Sequence, residues 1–290
     1  MFSTALEKAR KFTMPVMSTQ RFRNGRISSI IGSCIVVNDQ GWVLTAAHIM
    51  TEILKHEKSS AEIEKYEKAK AEITARADLK DNEKRRMIQR LPVSDDWITD
   101  HAEAFGLNWA PSRYFLDTLA DVALVQLVGF DARSIEEYPV FKNPISSFTV
   151  GTSLCRLGYP FHAVKATFDE QTRGFSLDPS TFPIPQFPND GILTRFAAKS
   201  STDGQRKVLF IETSTAGLRG QSGGPIFDKD AVVWAIQSQT ISLPLGFTPT
   251  VKQGSREIVE HQFIHLGWGS HIKHAIDMMR ANNIPFQMLP

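Results

Sequence analysis

Cys34 and Cys155 are the only two cysteines in 290 residues, too few for a disulfide framework. Both sit in apolar stretches, GSCIVV and SLCRLGYP, where a reduced thiol packs as a small hydrophobe, so both are expected to be structural. No apolar run approaches the roughly 18 residues of a membrane helix. The N-terminal MFSTALEKARKFTMPVMS has no hydrophobic signal-peptide core, so the expected location is cytoplasmic, with no membrane partner. Neither charge sign dominates: 33 Lys and Arg stand against 31 Asp and Glu, a formal net of +2. That balance gives no reason to expect a nucleic-acid partner. Metal-ligand clusters are lacking as well. His261 and His265 are four apart in HQFIHLGW, but that segment reads as a strand and no HExxH or Cys/His set accompanies it. GLRGQSGG lacks the GK[ST] ending of a phosphate loop. Neither a metal nor a cofactor is expected.

What is present is ordinary globular composition, 42% hydrophobic and 22% charged, enough for one or two domains at about 150 residues each. Ala5, Leu6 and Ala9 share a face of a short helix over 4–12. The segment SSIIGSCIVVNDQGWVLTAAH predicts a hairpin of two strands around an Asn-Asp-Gln-Gly turn, ending at His48. ADVALVQL predicts a strand buried on both faces. Further strands are expected at 147–150, 152–158, 191–197, 207–213, 231–239 and 260–266, with a Pro- and Phe-rich loop over 175–190. Ser270 is expected to cap a last helix running to about Ala281.

Residues 51–91 differ in texture. There is no Gly from 51 to 105, and 11 Lys/Arg with 8 Asp/Glu fall between Lys55 and Arg90. Ser59 with Glu62 fits a capping box, and Glu64 with Lys68 has the supporting spacing. The pattern predicts a charged helical hairpin turning near Asp78–Asn82. It is read either as a solvated insertion or as a docking surface for a regulatory protein partner. Residues 92–115 are aromatic and mixed, without a clear period.

Three segments carry chemistry: TAAHIM with His48, ADVALVQL with Asp121, and GLRGQSGGPIFD with Ser222. A serine hydroxyl becomes a nucleophile when a base removes its proton. Histidine suits that task near neutral pH. A buried carboxylate holds the imidazole tautomer and stabilises the imidazolium. Asp117 is a rival, four residues earlier; Asp121 is preferred because it directly precedes the strand VALVQL. Glycines around Ser222 let backbone N–H groups of Gly220 and Ser222 converge on an oxyanion.

These motifs resemble the chymotrypsin-like serine proteases, most closely the protease domain of the HtrA/Deg branch. The resemblance covers about residues 18–50 and 116–282. It implies an all-β fold of two perpendicular β-barrels, with a charged α-helical insertion in the first and a C-terminal helix. The boundaries expected are an N-terminal barrel over 1–140, with the insertion at about 51–112, and a C-terminal barrel over 141–290. His48, Asp121 and Ser222 would form the triad. Ala216 would stand at the base of the primary specificity pocket, with Ser238 and Thr240 on its wall. Ala216 gives no countercharge for a basic residue, so a small or medium aliphatic residue is expected there. Gln221 replaces the Asp that secreted relatives use for ion-pair activation. HtrA-type enzymes usually continue into a PDZ domain; none is expected here. The resulting expectation is a regulated serine endopeptidase acting on protein or peptide substrates. The alternative is a silent or latent protease-fold scaffold acting through the insertion.

Overall fold

Val122, Leu124 and Ala123, Val125 point to opposite faces, and both faces are buried. A strand with that pattern needs packing on each side, and it sits inside a sheet. The computed structural model describes residues 1–94, 97–105, 111–254 and 256–290. Helix α1 (Ser3–Phe12) leads into strands β1 (Thr13–Phe22), β2 (Ile27–Val36) and β3 (Trp42–Thr45). Helices α2 (Ala47–Ala75) and α3 (Asp81–Gln89) follow, then β4 (Ile98–Phe105), β5 (Pro111–Asp117) and β6 (Val122–Leu127). The six strands make one antiparallel sheet in the order β4-β1-β2-β3-β6-β5.

The second half begins with β7 (Val140–Phe141) and β8 (Ser153–Gly158), then the small hairpin β9 (Ala166–Asp169) and β10 (Gly174–Leu177). The long strands β11 (Phe187–Ser200) and β12 (Lys207–Thr213) precede the short β13 (Pro225–Phe227) and β14 (Val232–Pro244). A hairpin, β15 (Thr250–Gln253) and β16 (Arg256–Val259), leads to β17 (Phe263–His271), helix α4 (Ile272–Ala281) and β18 (Gln287–Met288). The second sheet has eight strands. Within it β13 pairs with both β8 and β14, so pairing through β8, β11, β12, β17 and β14 returns to β13. Among the described residues the fold is thus mostly β, with its α-helices near the two ends and in one insertion.

One hydrophobic cluster joins the two sheets. Ile35, Leu44 and Leu124 of the first meet Leu157, Phe210 and Phe227 of the second, with Ala9 of α1 and Ile276 of α4 against them. Burial of such side chains contributes about 1.5–3 kcal/mol each. Cys34 and Cys155 are both free and buried. Burial pushes their thiols up to about 12 and about 11, so neither is a ready nucleophile.

Several expectations need correction. Residues 147–149 have no regular secondary structure and Val150 begins a turn, where a strand was expected. The first long helix does not start at Ser59: it starts at Ala47 and runs straight through, so the Ser59/Glu62 pattern lies in its interior. The capping box belongs instead to α3, where the Glu83 side chain accepts the Lys80 N–H at 2.9 Å. The terminal helix is capped by His271, whose Nδ1 accepts the Lys273 N–H, and not by Ser270. The insertion lies along β1 and β4. The Arg23 guanidinium stacks 4.2 Å from the Tyr66 ring and pairs with Glu67 at 3.2 Å. Part of the 92–115 segment, residues 95, 96 and 106–110, lies outside the described residues. Among the described residues, no helix is long and apolar enough to cross a membrane.

Candidate active site

His48 stands in the first turn of α2, straight after β3. Thr45, Ala46 and Ala47 are buried, and the His48 side chain remains about half exposed at 48%. The helix has no side-chain cap of its own. Asp121 supplies one from across the sheet: its Oδ1 accepts the His48 backbone N–H at 3.0 Å. The same carboxylate meets the imidazole Nδ1 at 2.9 Å. One group therefore satisfies a free helix N–H and fixes the ring. Asp121 adopts a left-handed backbone, φ 54, in the turn before β6, a conformation Asp tolerates better than most residues.

The Asp121 carboxylate is largely buried. Burial pushes its pKa up, but bonds from His48 and Ser238 outweigh that and leave it below the usual carboxylate value. The Ser238 hydroxyl donates to Oδ2 at 2.5 Å. Asp117, the rival carboxylate, is engaged elsewhere: it accepts the Ala120 N–H at 3.0 Å and pairs with Arg206.

Ser222 sits in a tight loop between two sheets. Its carbonyl accepts the Ser33 N–H of β2 at 2.8 Å. Gly223, φ 84, donates its N–H to the Gln237 carbonyl at 2.8 Å. A Cβ on Gly223 would run into the Ser33 carbonyl and the Thr45 hydroxyl, so only glycine fits. Gly220, φ 100, turns its carbonyl to the Ser33 hydroxyl at 2.7 Å and the Tyr159 N–H at 3.1 Å. Buried Gln221 holds the loop from within. Its Oε1 accepts the Leu218 N–H at 2.9 Å and its Nε2 donates to the Phe187 carbonyl at 3.2 Å.

The donors at Gly220 and Ser222 are unspent. Among the described residues, the N–H groups of Gly220 and Ser222 donate to no protein acceptor, whereas those of Gln221, Gly223 and Gly224 all do. The Ser222 hydroxyl makes a loose bond, 3.4 Å, to the Ser238 carbonyl. Catalytic hydrogen bonds of free enzymes are commonly long and tighten with substrate.

The expected pocket residues divide. Ala216 turns its carbonyl to Arg156 at 2.5 Å and to the Asn189 amide at 2.8 Å. Thr240 donates its hydroxyl to the Gly217 carbonyl at 2.5 Å. Ser238, expected on the wall, directs its hydroxyl to Asp121 instead. Sequence reading missed Arg156 altogether. It is 1% exposed, on a strand otherwise apolar. A lone arginine in SLCRLG is the signal that marked it. Among the described residues, no group of three or more His, Cys, Asp or Glu side chains is arranged to hold a metal ion.

A family model for the trypsin-like peptidase domain matches residues 32–236. No curated protein matches the chain. Among solved structures, an HtrA-type protease with a decapeptide superposes with a TM-score of 0.49 at 12% identity. That superposition covers 97% of this chain and 66% of the other, so this chain spans just under two thirds of its length. The family match takes in more than half of the chain, including His48, Asp121 and Ser222, and on that ground the chain belongs to the trypsin-like peptidase domain family.

Proposed function

We propose that the chain is a serine endopeptidase that cleaves peptide bonds through an acyl-enzyme, with His48, Asp121 and Ser222 as its triad. One observation carries this reading: a His48–Asp121 pair at 2.9 Å stands beside a serine loop in which the Gly220 and Ser222 N–H groups are unspent. Ser222 Oγ turns from the Ser238 carbonyl towards the imidazole and attacks the peptide carbonyl as His48 takes its proton. Asp121 holds the ring tautomer and stabilises the imidazolium. The N–H groups of Gly220 and Ser222 receive the oxyanion; removing one such donor typically costs about 100- to 1000-fold in rate. His48 then protonates the leaving amine, and water repeats the sequence to release the acid.

The two-barrel architecture is part of the same proposal. The returning strand pairing of the second sheet supports it for the second half. The insertion is proposed as a regulatory docking surface. Its exposed charge and its shared helix with His48 support that reading.

Labelling with a fluorophosphonate probe tests the reading. Wild type is expected to label, and Ser222→Ala and His48→Ala are expected not to. Wild type that stays unlabelled, alone and in cell extract, overturns it in favour of a scaffold.

A further inference from the structure

Residues 214–218 lead into the Ser222 loop, and Thr240 follows Ser238, whose carbonyl faces the nucleophile. The Thr240–Gly217 bond makes these segments two walls beside Ser222, and Gly267 of β17 is the register partner of Thr240. Both walls carry glycine where a side chain would project. The space is taken by polar groups. A Cβ on Gly267 would lie 2.6 Å from Nη2 and 2.8 Å from Nη1 of Arg156. A Cβ on Gly217 would lie 2.6 Å from Cδ of Gln237.

Arg156 is held there by oxygens alone. Nη1 donates to the Thr215 carbonyl at 2.8 Å and the Ala216 carbonyl at 2.5 Å, and Nη2 donates to the Thr213 hydroxyl. Its Nε is buried and has no partner, and the Gln237 Oε1 against Gly217 has none either. Among the described residues, no carboxylate pairs with the guanidinium. Burial draws its pKa down to about 10, so it is cationic at neutral pH. A buried, unpaired cation is a costly arrangement. It is relieved when an anion enters.

We infer that Arg156 determines specificity in this pocket, and that the substrate residue on the acyl side of the cleaved bond is acidic, Glu or Asp. The inference rests on the peptidase reading of Ser222. A carboxylate between the walls supplies the missing countercharge and an acceptor for charge-assisted bonds. A basic residue meets repulsion. An aliphatic residue leaves the cation buried and unpaired. Ala216 itself is neutral; the charge reaches the pocket floor from the neighbouring strand, through its carbonyl.

The test uses peptidyl phosphonates with Glu, Gln, Ala or Lys at the reacting position, beside the general fluorophosphonate. The Glu probe is expected to label Ser222 about 10- to 100-fold faster than its uncharged Gln twin. Arg156→Met is expected to bring that ratio close to one, and Arg156→Lys to retain part of it. Should Arg156→Met not fold, Arg156→Gln removes the charge while keeping a polar side chain, and it too is expected to bring the Glu-to-Gln ratio close to one. General labelling with equal or faster reaction of the Gln, Ala or Lys probe overturns the inference and leaves the peptidase reading standing. If wild type takes no label at all, the peptidase reading fails. The pocket's preference for an acidic side chain is then judged on its own by calorimetry on Ser222→Ala with matched Glu and Gln peptides, where equal affinity overturns that preference and tighter Glu binding upholds it.

Discussion

The Ser222 loop and the helical insertion are built on opposite physical terms. Around Ser222 the backbone is fixed group by group: the Ser222, Gly220 and Gln221 carbonyls all accept bonds, and buried Gln221 braces the turn from inside. The insertion is attached by its surface. Helix α3 buries no residue. The Arg23–Glu67 pair joining α2 to the sheet leaves the two side chains 22% and 50% exposed. Exposed pairs contribute roughly 0–1 kcal/mol. The loop gains its geometry from backbone bonds, while the arm beyond Ile53 and Leu54, which pack on the core, is held by stacking at Tyr66 and by the exposed Arg23–Glu67 pair. Position matters where a proton and an electron pair must meet within tenths of an ångström, and much less where charge is displayed to solvent.

The sharpest break in this contrast is Asp121→Asn. It leaves the size of the side chain unchanged but removes the charge that orients His48, and the acylation rate is expected to fall by about 10,000-fold. Single-turnover labelling kinetics measure it, and a loss under tenfold would mean that His48 is held by something else. Gly223→Ala comes next. A methyl group at φ 84, driven into the Ser33 carbonyl, is expected to cost about 3 kcal/mol or more, read from urea denaturation.

His271 places acid sensitivity at the end of β17, away from both regions. Burial, then the nearby His274 and Lys273 charges, hold its pKa down to about 4 from 6.5. Below pH 6.5 the unfolded chain takes up a proton that the folded chain refuses, so stability falls as the pH drops from about 6.5 to about 4 and this contribution then levels off. The loss is expected to reach about 3 kcal/mol over that window. In His271→Gln the slope of the urea midpoint against pH should flatten there; an unchanged slope assigns the sensitivity to another group. The smallest effect belongs to the arm. Glu67→Gln is expected to change stability by about 0.5 kcal/mol or less, and less still in high salt. A change of 2 kcal/mol would show the arm to be fastened as firmly as the loop.

The residues proposed for the triad carry signals in the sequence that are short and local. GQSGG and TAAH specify a glycine turn and a strand-to-helix junction within a few residues. Asp121 was legible through the strand it precedes. The long helix was legible as charged and helical, but its start was not: Ala47 follows β3 without a cap in sequence, since the cap comes from Asp121, 73 residues away. The resemblance of WAIQSQT to a pocket-lining strand gives Ser238 a place on the wall, but it does not tell which neighbour the hydroxyl chooses, and here that neighbour is Asp121. Arg156 was overlooked because SLCRLG reads as one apolar strand. The oxygens that hold it, in Thr213, Thr215 and Ala216, become its neighbours only when the second sheet forms.

The bonds between Ser33 and the serine loop have a consequence for the order in which the molecule becomes dangerous. The Ser33 hydroxyl reaches Gly220 across 187 residues, and the Ser238 hydroxyl reaches Asp121 across 117. Contacts so distant in sequence close late, after the entropy of long loops has been overcome. A nascent or partly folded chain therefore carries the serine without its turn and the histidine without its neighbours. On the peptidase reading proposed above, the triad is assembled only once both halves have docked, so a chain still folding is not yet a catalyst towards unfolded copies of itself.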